Sequence, residues 1–209
     1  MDTGAVWERV EFPTVEDNVH NDTLLVQVTF DLGDGTFMMV ASNVQENRDG
    51  LRLVHYRPTA DSAAQVITSS KPGYDSFTLF PTFFRTSRAA DGLLILANLG
   101  EKQSWGQDVF WLKDDRFTDL GFLDVAARGW RTYADSLQQW RTSIADRAIV
   151  HGTDGVFVIA FSGDSVQLYD DLRGHEEVMY PASAVRYRCA NGKTELMIDG
   201  EVVTPGPPA

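Results

Sequence analysis

The chain has 209 residues, 18 basic against 30 acidic side chains for a net charge of −12, and one cysteine, Cys189. A chain of this length suits a single domain burying roughly 70% of the surface its unfolded form exposes. The negative average field disfavours nucleic acid and anionic membranes as partners, and a lone thiol excludes an internal disulfide and any multi-thiolate metal site.

Near the start, Trp7, Val10 and Phe12 are spaced for a first strand. Alternation of Leu24, Val26, Val28 and Phe30, a turn at 31–35 and the apolar run 37–41 then read as a β-hairpin. A third strand at 51–57 makes this a meander. Segment 59–76 has turn composition around one short strand-like piece, 65–68. The apolar stretch 77–86 contains Pro81, which cannot donate to a ladder and predicts a break there.

One phrase recurs three times: DGTFMMVASN from Asp34, DGLLILANLG from Asp91 and DGVFVIAFSG from Asp154. Each reads as a turn feeding a buried strand, and their separations exceed the about 40 to 45 residues of a propeller blade. The runs LLILA at 93–97 and VFWL at 109–112 lack alternation, which predicts strands covered on both faces. Even the longest such run is far short of the ~20 apolar residues of a membrane-spanning helix, so no membrane insertion is expected.

Between 127 and 148 the period changes. Trp130, Ala134, Leu137, Trp140 and Ile144 recur at spacings of three and four, which predicts one short helix near 134–140, with a strand and a twisted loop as the competing reading. A meander resumes through 148–151, the turn 152–155, VFVIAFS and VQLYD. Asn191-Gly192 between two strand-like runs predicts a closing hairpin with a type I' turn. Residues 204–209, TPGPPA, read as a disordered tail. The expected fold is thus mainly β: antiparallel meander hairpins forming a β-sandwich or small propeller-like domain over 1–203, with that one helix.

No nucleophile-elbow, phosphate-loop or dinucleotide pattern is present. The four histidines, His20, His55, His151 and His175, fall in unrelated settings. In a strand, Cys189 shares a face with Val185 and Tyr187 and turns away from Arg186 and Arg188, the pattern of a small core residue. The spacing of Asp31 and Asp34 matches no calcium loop, and Asp is common in turns for its own backbone hydrogen bonds. No cofactor and no metal is therefore expected.

The one functional signal is aromatic: Trp105, Trp111, Trp130, Tyr133 and Trp140 lie close together in the sequence, partly in loop-like text. Trp and Tyr are enriched at interfaces and on sugar-binding platforms. Trp111 has apolar neighbours and reads as core. The candidate binding residues are Trp105, Gln107, Asp108, Trp130 and Tyr133, and no catalytic residue is nominated.

The leading expectation is a non-enzymatic binding module, an inhibitor-type bacterial protein whose acidic surface meets a basic protein. The alternatives are a carbohydrate-binding or glycan-processing domain using loop aromatics, and a structural subunit of a larger assembly. Fourteen arginines against four lysines fit a high-GC bacterial source. The expected compartment is cytoplasmic as the chain stands, or extracytoplasmic if a leader preceded it.

Overall fold

The computed structural model describes residues 4–16, 19, 24–43, 50–61, 63–73, 79–100, 105–170 and 176–203. Within them the chain forms antiparallel strands and a few single-turn 3-10 helices. The first six strands are β1 (Ala5–Val10), β2 (Thr14–Val15), β3 (Leu24–Asp31), β4 (Phe37–Asn43), β5 (Arg52–Pro58) and β6 (Ala64–Ser69). The central group is β7 (Pro81–Arg85), β8 (Leu93–Gly100), β9 (Trp105–Lys113), β10 (Arg116–Leu123), β11 (Val125–Tyr133) and β12 (Ser136–Thr142). The last group is β13 (Ala148–Thr153), β14 (Val156–Phe161), β15 (Ser165–Asp170), β16 (Glu176–Pro181), β17 (Val185–Ala190), β18 (Lys193–Ile198) and β19 (Glu201–Val203).

Three sheets result: a ten-stranded one ordered β10-β9-β8-β7-β1-β13-β14-β17-β18-β19, a five-stranded one ordered β2 to β6, and a four-stranded one ordered β12-β11-β15-β16. The large sheet curls so that β10 returns against β17 and β18. Thr194 Oγ1 on β18 donates to the Phe122 carbonyl on β10 at 2.8 Å, and the Tyr187 hydroxyl donates to the Asp124 carbonyl at 3.2 Å. The result is a half-barrel of meander hairpins, with sheets layered on one another rather than arranged as radial blades.

Curling lets the large sheet bury both of its faces at β7 to β9. Its concave side holds Trp7, Leu94, Leu96, Val109, Phe157, Ile159 and Tyr187 in the main core. On the convex side Phe83, Leu93, Ile95, Phe110 and Leu112 meet Met38, Val40 and Leu53 of the five-stranded sheet. The two-faced reading of LLILA and VFWL holds: Leu94 and Leu96 point one way, Leu93 and Ile95 the other, and all four are buried. Burying four such side chains contributes roughly 2 kcal/mol each, which makes β8 the strand on which both layers depend.

Turn chemistry sets the hairpins. Asp114-Asp115, Ala134-Asp135, Asp154-Gly155, Asn191-Gly192 and Asp199-Gly200 all have both residues at positive φ, as a two-residue type I' connection requires. The three Asp-Gly copies diverge here. Asp154-Gly155 closes β13 on β14 directly, Asp34-Gly35 sits in a longer loop, and Asp91 ends a 3-10 turn between β7 and β8. In the Asp34 loop the carboxylates cap their own turn, accepting from the Gly33 N–H onto Asp31 at 2.8 Å and from the Thr36 N–H onto Asp34 at 2.9 Å. Pro81 opens β7, the place in a strand where its missing N–H costs least.

The helix expected near 134–140 is not formed. Those residues turn at Ala134-Asp135 and continue as β12, paired with β11 from Ala127↔Thr142 to Tyr133↔Ser136. The three-and-four spacing of Trp130, Leu137 and Trp140 arises because a two-residue turn offsets the alternation of two strands. The β-branched and aromatic residues Trp130, Thr132, Tyr133 and Trp140 favour that outcome. The expected tail at 204–209 lies outside the described residues.

Candidate functional site: an aromatic ribbon that leaves the body

Strands β11 and β12 form a ribbon rooted in the core and free at its tip. Val125, Ala126 and Ala127 are buried, and β15 pairs with β11 only at Val125 and Ala126. Beyond them every residue of 131–140 is exposed. Trp130, Tyr133, Leu137 and Trp140 are exposed by 60%, 61%, 66% and 49%. A two-stranded hairpin without a third strand or a covering layer is marginal in water, and one that displays apolar side chains on both faces is an exposed patch that calls for a partner.

Register fixes which side chains share a face. Residues opposite each other in an antiparallel pair point the same way. Trp130, paired with Gln139, and Thr132, paired with Leu137, therefore lie on one side; Arg131, paired with Gln138, and Tyr133, paired with Ser136, lie on the other with Trp140. On that second face the Arg131 guanidinium stands 5.3 Å from the centre of the Trp140 ring, a diagonal cation–π contact. Trp140 lies opposite Gly129, where a side chain would press on Thr142.

The root is held by polar groups. Arg141 Nη2 meets Asp124 Oδ1 at 3.2 Å with its side chain only 11% exposed. Thr142 Oγ1 donates to the Ala127 carbonyl at 3.3 Å. Just past the ribbon, Ser143 Oγ accepts from Gln107 Nε2 at 3.3 Å, and the same amide nitrogen donates to Asn98 Oδ1. Gln107 thus ties the base of the ribbon to the β8–β9 ladder.

The five residues nominated from sequence separate accordingly. Trp130 and Tyr133 are on the ribbon and open to solvent. Gln107 is buried beneath its root and Asp108 is buried on the opposite face of β9. Trp105 opens β9 opposite Gly100; the loop 101–104 before it lies outside the described residues. Leu137, Trp140 and Arg131 complete the exposed cluster and were missed as site residues because the stretch reads as a helix. The signal that finds them is the turn at Ala134-Asp135 between two alternating runs.

Asp108 forms the core of a separate ion triad. Lys71 Nζ lies 3.1 Å from Asp108 Oδ1 and 2.9 Å from Asp119 Oδ2, joining the end of the five-stranded sheet to β9 and β10. Burial pushes the Asp108 carboxyl up, against the attraction of Lys71. Burial pulls the Lys71 ammonium down, but hydrogen bonds and charge from Asp119 and Asp108 outweigh it and hold it above its ordinary value. The triad is a clasp between layers, with each charge engaged by another.

Other reactive groups are built into the core. Cys189 lies on the buried face of β17 with Val185 and Tyr187, and burial pushes its thiol up to about 12. His55 is buried with Nδ1 at 3.9 Å from Asp115 Oδ1, and burial lowers its basicity ahead of the opposing pull of Asp115 and Asp34. A shallow depression bounded by Glu8, Val10, Arg85 and Thr86 offers a hydroxyl already committed to Asp91 Oδ2 at 2.6 Å. Among the described residues no group of three or more His, Cys, Asp or Glu side chains is placed to hold a metal ion, and no helix is long and apolar enough to cross a membrane.

Fold and site together define an antiparallel all-β protein carrying a free aromatic ribbon. Compared with known proteins, the chain matches no family model, no curated protein and no solved structure.

Proposed function

We propose that this protein is a non-enzymatic interaction module that engages a protein partner through the β11–β12 ribbon. The observation that carries this reading is the unbroken exposure of 131–140 in a strand pair that bears two tryptophans, a tyrosine and a leucine. Rigid aromatic side chains with few rotatable bonds are the residues that dominate binding energy at interfaces. The acidic body leaves the protein open to a basic partner as well.

A photo-crosslinking residue placed at Leu137 tests the proposal in cells of the source organism. Adducts are expected from that position and absent from the same residue placed at Asp61 on the body. No adduct from any position of 130–140 contradicts it.

A glycan is the second reading, favoured by the neighbouring Trp140, Tyr133, Arg131 and Gln138 on one ribbon face. A glycan array separates the two: binding lost in Trp140→Ala with an unchanged melt favours a sugar, and no binding on the array removes it.

A further inference from the structure

We infer that the ribbon takes up its partner by strand addition: an extended, acidic segment of another protein pairs along the open edge of β12 and widens the β12-β11-β15-β16 sheet by one strand. This rests on the ribbon being the docking element proposed above and names the kind of chain it receives. Trp130 and Leu137 stand on one face of the ribbon, Tyr133 and Trp140 on the other. A flat surface pressed against either face leaves the other pair in water. A strand at the edge sends its own side chains alternately to both faces. It therefore meets Leu137 on one side and Trp140 on the other, both carried by β12 itself, as cross-strand neighbours.

The backbone is ready for it. β12 is the end strand of its sheet, and among the described residues no other strand pairs with its outer side. Its ladder to β11 runs from Ala127↔Thr142 to Tyr133↔Ser136 without a bulge, and its sequence SLQQWRT has neither proline nor lysine. Bulges, prolines and lysines are the devices by which edge strands refuse a neighbour. The turn fixes which groups are open. A two-residue connection at Ala134-Asp135 makes Tyr133↔Ser136 a hydrogen-bonded pair, so the next pair, Thr132↔Leu137, is a non-hydrogen-bonded one. Leu137 thus directs its N–H and C=O away from β11, into the edge where an added strand makes its main-chain bonds.

Charge selects among extended segments. The stretch 125–142 carries Arg128, Arg131 and Arg141 against Asp135 alone, a net charge of +2 within a chain of −12. Arg141 is engaged by Asp124 at the root, but the Arg131 guanidinium stands over the Trp140 ring that the added strand abuts. Carboxylates on the incoming segment are attracted there and ammonium groups repelled, which fixes its register and disfavours basic segments.

A phage-displayed library of random peptides, selected on the full chain, is the probe. The enriched peptides should carry more Asp and Glu than the starting library, and their addition should slow exchange of the Leu137 amide. Leu137→Pro keeps an apolar side chain and the ladder to β11 but removes the outward N–H, as proline does on an edge strand. It should weaken binding by at least about 10-fold beyond Leu137→Ala, which keeps that N–H, with both proteins retaining the wild-type melt. Failure to enrich any peptide overturns strand addition, as do peptides that bind Leu137→Pro as well as Leu137→Ala or that leave the Leu137 amide unprotected in the wild-type complex. The amide measurement decides the matter even where Leu137→Pro disturbs the ribbon. Enrichment of Lys and Arg refutes the acidic segment. A photo-crosslinker at Ser136 separates this from the ribbon's role: adducts that persist in Leu137→Pro refute strand addition and leave the ribbon as the docking element.

Discussion

The β8–β9 ladder and the β11–β12 ribbon are close in length and both carry tryptophans, yet they have opposite fates. The first runs from Leu93↔Leu112 to Gly100↔Trp105 and the second from Ala127↔Thr142 to Tyr133↔Ser136. Leu94, Ile95, Leu96, Val109 and Phe110 are buried, whereas Trp130, Leu137 and Trp140 stand in water. Strand pairing alone does not bury side chains: β8 and β9 have a layer on either side, and among the described residues the ribbon has none. The lesson is that an aromatic residue in an antiparallel pair is read as core or as contact surface only after its neighbouring layers are known.

The largest expected effect breaks the comparison at the core. Leu96→Asp places an uncompensated charge between two layers and should cost more than about 4 kcal/mol, abolishing the cooperative melt. Leu137→Asp on the ribbon should leave the melting temperature within about 2 °C of wild type, as for exposed positions in general. Equal losses in the two proteins contradict the division into body and ribbon.

An intermediate effect belongs to the ion clasp. Lys71→Met leaves Asp108 buried without its cation and should destabilise by about 2 kcal/mol at pH 7, read by urea denaturation. The folded Lys71 ammonium sits above its ordinary value of 10.5. Its stabilising contribution is therefore complete below pH 10.5 and is lost as pH rises through the higher folded value. Wild type should lose stability in that alkaline window more steeply than Lys71→Met; parallel profiles contradict the assignment.

A smaller effect runs through His55. Its folded basicity is lowered by burial from 6.5, so protonation opposes folding. Stability should be full above pH 6.5 and fall as the pH drops through the unfolded and then the folded value. His55→Gln should flatten that part of the acid limb in a pH series of thermal melts, while an unaltered limb rules the histidine out as its source.

The smallest effect sharpens the ribbon itself. Ala134 holds φ at 43° in the turn, a left-handed conformation that costs a non-glycine residue about 1 kcal/mol. Ala134→Gly should relieve it and slow amide exchange along 130–140 by about fivefold, without moving the global melt.

Much of the body is legible in the sequence because its signals are local. Alternation at 24–30, the Asn191-Gly192 turn, Pro81 at a strand start and the two-faced runs at 93–97 and 109–112 each report a constraint carried by a few adjacent residues. The ribbon is not legible in the same way. Its turn is Ala134-Asp135, without the glycine that marks such connections, and Ala, Ser and Gln around it fit a helix as well as a strand. The site residues divide for a related reason: Gln107 and Asp108 resemble polar loop residues until Ser143 and Lys71, brought in from distant sequence, are seen to engage them.

Residue-resolved hydrogen exchange on dilute protein tests the division most directly. The amides of Leu94, Ile95 and Leu96 should exchange only through global unfolding, while those of 130–140 exchange orders of magnitude faster through opening of the ribbon alone. Ribbon amides as slow as those of β8 in the dilute chain would show that the ribbon belongs to the cooperative core, and would contradict its role as a free docking element.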